Sequence, residues 1–129
     1  MHPNEEVVRN FYEAFERRDM EELQRLVDPG IVYHESGRNR FTGDYQGFEN
    51  MMGLFEQVGQ LFEGNIEVEV HDVIGGESHV VVLENMRLSR AGRSIETKAA
   101  AVAHVENGRI KEMWELRENQ QALDELIGS

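Results

Sequence analysis

The side chains of this 129-residue chain that could carry a proton near neutral pH are its five histidines and its 25 aspartates and glutamates; cysteine is absent. An imidazole titrates near neutrality by itself, and a carboxyl does so once burial disfavours its charged form. Without cysteine, disulfides, thiolate metal sites and thiol catalysis are excluded. No Gly-x-Ser-x-Gly elbow, Gly-x-Gly-x-x-Gly turn or phosphate-binding loop occurs, so neither a serine hydrolase nor a nucleotide cofactor is implied. His34, Glu84 and His104 stand within strand-like segments, which is where a fold can fix a proton carrier. No close pair of histidines at i, i+2 or i, i+4 suggests a metal site.

The acids outnumber 13 lysines and arginines and leave a formal charge of −12. Phosphate binding needs clustered cations, so nucleic acid and anionic membrane surfaces are poor partners. The excess is spread along the chain, which reads as a solvated surface. No run of 18 apolar residues exists, and the N-terminus shows no basic region followed by an apolar one. These features predict a cytoplasmic protein, and the length predicts a single domain over residues 1–129.

The elements that must position these groups follow from periodicity. Asn4 is the expected cap of a helix with Val7, Val8, Phe11, Tyr12 and Phe15 on one stripe. Asp19, with Glu22 three residues on, opens a second short helix ended by Asp28-Pro29-Gly30. Ile31 to Ser36 reads as a strand, residues 37–45 as a loop, and Gln46 to Phe62 as a third helix. Beyond Gly64 the period becomes two: Ile66, Val68 and Val70 alternate with Glu67, Glu69 and His71. Strands follow over His79–Arg90, Ser94–Glu106 and Arg109–Glu118, the last two joined by Asn107-Gly108, a strong hairpin signal. A final helix spans Gln120 to Ile127, with Asn119 at the cap position. The order predicts an α+β fold in which helices cover one face of a curved antiparallel sheet. Val80–Leu83 and Ala99–Ala103 are apolar at both parities, so the second face needs a cover too. The simplest cover is a second copy of the chain, which predicts a homodimer through the sheet; the last helix could do part of that covering.

Several strings, in order and spacing, resemble the SnoaL-like and ketosteroid-isomerase-related branch of the nuclear-transport-factor-2-like, or cystatin-like, superfamily. They are Val7-Val8-Arg9-Asn10-Phe11-Tyr12, Asp19-Met20-Glu21-Glu22-Leu23, Val32-Tyr33-His34, Gly43-Asp44-Tyr45-Gln46-Gly47, Val70-His71-Asp72-Val73 and Asn107-Gly108 through Trp114. The resemblance implies a cone-shaped α+β barrel whose sheet and three N-terminal helices enclose an apolar pocket for a hydrophobic small molecule, without a cofactor or metal. It implies that Val82, Glu84, Met86 and Leu88 face that pocket, with Met113, Glu115, Phe55 and Phe11, and that Trp114 faces a subunit interface. It places His34 where the isomerases carry their aspartate base, with Tyr33 outside the pocket, and it turns the His104 face inward, although a dimer-interface place for His104 is an equal alternative. His34, Glu84 and His104 are then the expected catalytic set. Phe11 stands where the isomerases have an oxyanion-hole tyrosine, and Ala101 or Val102 where they have a second, acidic donor. Ketosteroid isomerases rely on that pair of donors, so their reaction is not expected here. The implied function is cofactor-free acid/base catalysis of isomerase, cyclase, lyase or hydrolase type; the alternative is a non-catalytic ligand-binding or interaction module.

Overall fold

A computed structural model describes residues 2–128. Helix α1 (Pro3–Arg17) begins with His2 as its cap, whose Nδ1 accepts the Asn4 N–H at 3.1 Å. Asn4, the expected cap, instead donates its side-chain amide to the carbonyls of Gly76 and Glu77. Proline at the first helical position explains the earlier start, because it needs no N–H partner. Val8, Phe11 and Ala14 are buried, and Arg18 ends the helix in the left-handed region at φ 58°. Asp19 caps α2 (Met20–Leu26) by accepting the Glu22 N–H at 3.2 Å, as the spacing predicts.

The chain passes directly into β1 (Val27–Glu35), whose pairing is irregular across Pro29-Gly30. Part of the expected loop is a short strand, β2 (Gly43–Gln46), paired antiparallel to β1. Helix α3 (Phe48–Leu61) follows, buried through Met51 and Leu54. Then come β3 (Ile66–Gly75), β4 (His79–Arg90), β5 (Arg93–Glu106), β6 (Arg109–Arg117) and α4 (Gln120–Ile127). The β4–β5 turn at Ala91-Gly92 and the β5–β6 turn at Asn107-Gly108 both use two residues with positive φ, the hairpin geometry that matches strand twist.

The six strands lie in the order β2-β1-β6-β5-β4-β3, a curved sheet that does not close. Strands β3 to β6 form the expected antiparallel meander, but β1 joins β6 in parallel. One face is covered by the helices. Its floor is Val80, Val82, Glu84, Met86 and Leu88 from β4, Thr97, Ala99, Ala101, Ala103 and Val105 from β5, and Met113 and Glu115 from β6, all buried. Helix α4 closes one end of this same face: the Asn119 N–H donates to Thr97 Oγ1 and Gln120 accepts from Arg117. It does not extend over the opposite face. There Val81, Leu83, Ala100, Val102 and Trp114 stay half-buried, and Leu116 is exposed. Among the described residues, no helix is long and apolar enough to cross a membrane.

Candidate functional site: a buried carboxyl pair

Alanines at the centre of the sheet make room for acids from the strands on either side. In β5, Ala99 pairs with Glu84 of β4 and with Arg117 of β6, while Ala101 pairs with Val82 and with Glu115. Opposed residues on neighbouring strands share a face. Glu84 and Glu115 therefore rise from the two strands that flank the alanines and meet above these small side chains. They are 5% and 6% exposed. Tyr12, from α1, donates its hydroxyl to Glu84 Oε2 at 2.8 Å. The other oxygen, Glu84 Oε1, is buried with no conventional donor in reach. A buried acceptor needs a donor, and the Glu115 carboxyl, hydrogen-bonded to Glu84, supplies one when it is protonated. Burial raises the Glu115 carboxyl well above the usual carboxylate range, and the hydrogen bond and charge of Glu84 raise it further; Arg117 pulls the other way. A second negative charge beside Glu84 in a dry site is costly, which is why the Glu115 carboxyl is pushed up. Burial and the same two acids also keep the Tyr12 phenol protonated, well above its usual range.

A second buried group adjoins the pair. The parallel β1–β6 register puts Glu35 beside Glu115 and Tyr33 beside Met113. Arg117 donates to Glu35 through both terminal nitrogens, at 3.0 and 3.4 Å, and Tyr33 donates to Glu35 Oε1 at 3.2 Å.

Exposed apolar side chains border the same face. Val68 and Val70 of β3 pair with Met86 and Glu84, so they share the concave face, yet they are 46% and 38% exposed. Phe15, exposed on α1, packs edge-on against Phe55 of α3, whose ring meets Tyr33 at 5.1 Å. A separate surface cleft of about 370 Å³, lined by Gln24, Val27, Gln46 and Phe48, lies away from the pair.

The expected inward set on β4 and β6 is where the resemblance put it: Val82, Glu84, Met86, Leu88, Met113 and Glu115 are buried on the helix-covered face, and Phe11 and Phe55 pack over it. Trp114 lies on the opposite face. The two histidines are corrected. Beyond Pro29-Gly30 the buried residues of β1 are Ile31, Tyr33 and Glu35, so His34 points to the outer face. There its ring stacks on Trp114, with Nδ1 2.6 Å from Asp44 and Nε2 2.6 Å from Glu112. Partial burial opposes its charge, but the two carboxylates outweigh that and raise it above the usual imidazole value. Tyr33, expected outside, is inside. On β5 the buried parity is Thr97 to Val105, so His104 also faces out, stacked on His79 at 5.1 Å and 3.4 Å from Glu106. A one-residue change of register exchanges the faces of a whole strand, and both corrections are of that kind. Tyr12, Tyr33, Glu35 and Arg117 were not in the expected set. The parity that Arg117 shares with Glu115 was its signal in the sequence; Tyr33 and Glu35 lie on β1, whose irregular pairing hid which parity faces inward.

Residues 8–113 match a known family, that of the SnoaL-like domain. The chain belongs to this SnoaL-like family. Solved structures agree on the fold, which is called cystatin-like or nuclear-transport-factor-2-like. This SnoaL-like chain is similar to a protein from a soil-derived mobile gene cassette, at 28% identity and TM-score 0.91, covering 98% of this chain and 97% of that one. It is similar to a protein of unknown function from Burkholderia pseudomallei, at 25% identity, TM-score 0.86 and full coverage of both chains. A protein of Streptomyces antibioticus, described as a candidate polyketide cyclase, shares the fold at 23% identity and TM-score 0.73, covering 94% and 97%. Among the described residues, no three of His, Asp and Glu are grouped so as to hold a metal ion.

Proposed function

We propose that this SnoaL-like protein is a cofactor-free acid/base enzyme acting on a neutral, hydrophobic carbonyl compound of polyketide type. The observation that carries the reading is the Glu84–Glu115 pair, two buried carboxyls that face each other on the helix-covered face of the sheet. Strongly perturbed groups in a concave site are candidates for proton transfer. Glu115 is the acid, donating to the carbonyl oxygen of the substrate. Glu84, oriented by the Tyr12 hydroxyl, is the base and takes a proton from the adjacent carbon. In an isomerisation Glu84 then delivers its proton to a different carbon of the enol while Glu115 recovers the proton of the enol oxygen, so the pair ends as it began. In an aldol-type ring closure the enol carbon attacks a second carbonyl, whose oxygen takes the proton from Glu84 while Glu115 again recovers the enol proton. The Streptomyces likeness supports the substrate class through the fold alone.

The test is exchange of solvent deuterium into a panel of apolar ketones and 1,3-diketones, followed by mass spectrometry. The wild type should catalyse exchange with a bell-shaped pH profile, and Glu84→Gln and Glu115→Gln should each lose about 10²-fold or more. Unchanged exchange in both variants overturns the proposal. The second reading, a ligand-binding module without turnover, is favoured by the way Tyr12, Glu84 and Glu115 satisfy one another; it predicts saturable binding with no exchange.

The proposal extends to a homodimer through the outer sheet face. Its support is the half-buried Val81, Leu83, Ala100, Val102 and Trp114 on a face that no helix covers. Sedimentation should give twice the chain mass of 14.9 kDa at micromolar concentration, and a monomer mass refutes it. A cytoplasmic location belongs to the same proposal and is checked by cell fractionation.

A further inference from the structure

Three buried acids on the concave face, Glu35, Glu84 and Glu115, have one buried arginine among them. Arg117 stands two residues from Glu115 on the same face of β6, so either Glu115 or Glu35 could be its partner. The parallel pairing of β1 with β6 sets Glu35 beside Glu115 and within reach of the guanidinium, which bonds to Glu35. Both terminal nitrogens of Arg117 are engaged there, and one of them also donates to Gln120 Oε1 at 3.3 Å. Its Nε is buried without a partner, as expected for a guanidinium drawn to one side. Tyr33 steadies the acceptor by donating to Glu35 Oε1.

We propose that Glu35 is a positioning residue: by clamping Arg117 it keeps the one buried cation off Glu115, and so leaves Glu115 holding the proton of the pair. This rests on the acid/base reading above for its meaning in catalysis. The clamp itself is a property of the folded protein and can be read without a substrate.

The groups that face Glu115 are Glu84 from β4, Tyr12 from α1, Tyr33 and Glu35 from β1, and Arg117 from its own strand. From α4, Asp124 acts on this cluster through Arg117. The Glu84 and Glu35 charges favour a protonated Glu115, and Arg117 opposes it. Neutralising Glu35 removes one favourable charge and frees the guanidinium to turn toward Glu115. An unopposed cation within about 4–6 Å lowers a carboxyl by about 1–3 pH units. Removing the arginine as well should reverse the effect, whereas a purely structural role for Glu35 predicts no such reversal.

The experiment is an NMR titration of the full chain with ¹³C-labelled glutamate side chains, the pair being assigned through Glu84→Gln and Glu115→Gln. The quantity read is the upper midpoint of the pair. In Glu35→Gln it should fall by about 1–3 pH units. In Glu35→Gln combined with Arg117→Gln it should return to the wild-type position or higher. If Glu35→Gln does not fold, Arg117→Gln alone should raise the midpoint, because the opposing cation is gone. An unmoved midpoint in Glu35→Gln, a double variant as low as the single one, or no rise in Arg117→Gln overturns the proposal. A wild-type pair that titrates wholly in the ordinary carboxylate range refutes the acid/base reading instead. A raised wild-type midpoint that ignores Glu35 refutes only the clamp.

Discussion

Two polar clusters sit back to back on one sheet, built from adjacent residues. Tyr33 and Glu115 face inward, and His34 and Trp114 face outward. On the inner face desolvation dominates. Acids outnumber the single cation, and burial raises the Glu115 carboxyl well above the usual carboxylate range because an ion there is costly. On the outer face water and two carboxylates reach His34, and Asp44 and Glu112 raise its imidazole above the usual value. The comparison teaches that strand parity, more than residue type, decides which titratable group becomes a proton carrier. A histidine, the usual candidate, is here on the solvated side.

Breaking the inner cluster should have the largest effect. Arg117→Met leaves Glu35 buried and unpaired, and urea unfolding should show a loss of about 3–5 kcal/mol. Next, Ala101→Leu overfills the fully buried floor between the acids and should destabilise by about 1–3 kcal/mol, while separating Glu84 from Glu115. The smallest effect belongs to the outer cluster. His34→Gln should change stability by less than about 1 kcal/mol, and added salt should erase the difference.

The pH dependence sharpens the same contrast. Glu115 has a folded value raised above its unfolded one, so its favourable contribution is complete below the ordinary carboxylate range and is lost as pH rises through the folded value. Glu115→Gln should lack this alkaline loss, so the two unfolding curves should draw together with rising pH, at high salt as at low. His34 is also raised, so its contribution is present below the usual imidazole value and is lost as pH climbs through the folded one. That loss should shrink in salt. If both transitions respond to salt alike, the contrast between a dry face and a wet one fails.

Much of this was legible in the chain. The helices and the hairpins follow from helical periodicity, the Asp19 cap and the turn residues, whereas the inward parity of Val82, Glu84, Met86 and Leu88 comes from the family resemblance. The parity of β1 was not legible, because its pairing is irregular across Pro29-Gly30 just before the residues concerned. Nor was that of β5, since Ala99 to Ala103 are apolar at every position and give no alternation to read. The carboxyl pair needs both flanking strands in register, and the parallel joining of β1 to β6, which brings Glu35 to Arg117, is a long-range event with no local signal. Tyr12 lies on the helical stripe four residues after Val8, but only the packing of α1 shows where its hydroxyl ends.

The most direct test is whether Glu115 still carries a proton in the folded protein when the surface acids have ionised. An infrared difference titration of wild type against Glu115→Gln should show the carbonyl stretch of a protonated carboxylic acid that is lost in the variant and persists above the pH at which the surface acids ionise. A carbonyl band that disappears together with those of the surface acids would contradict the account.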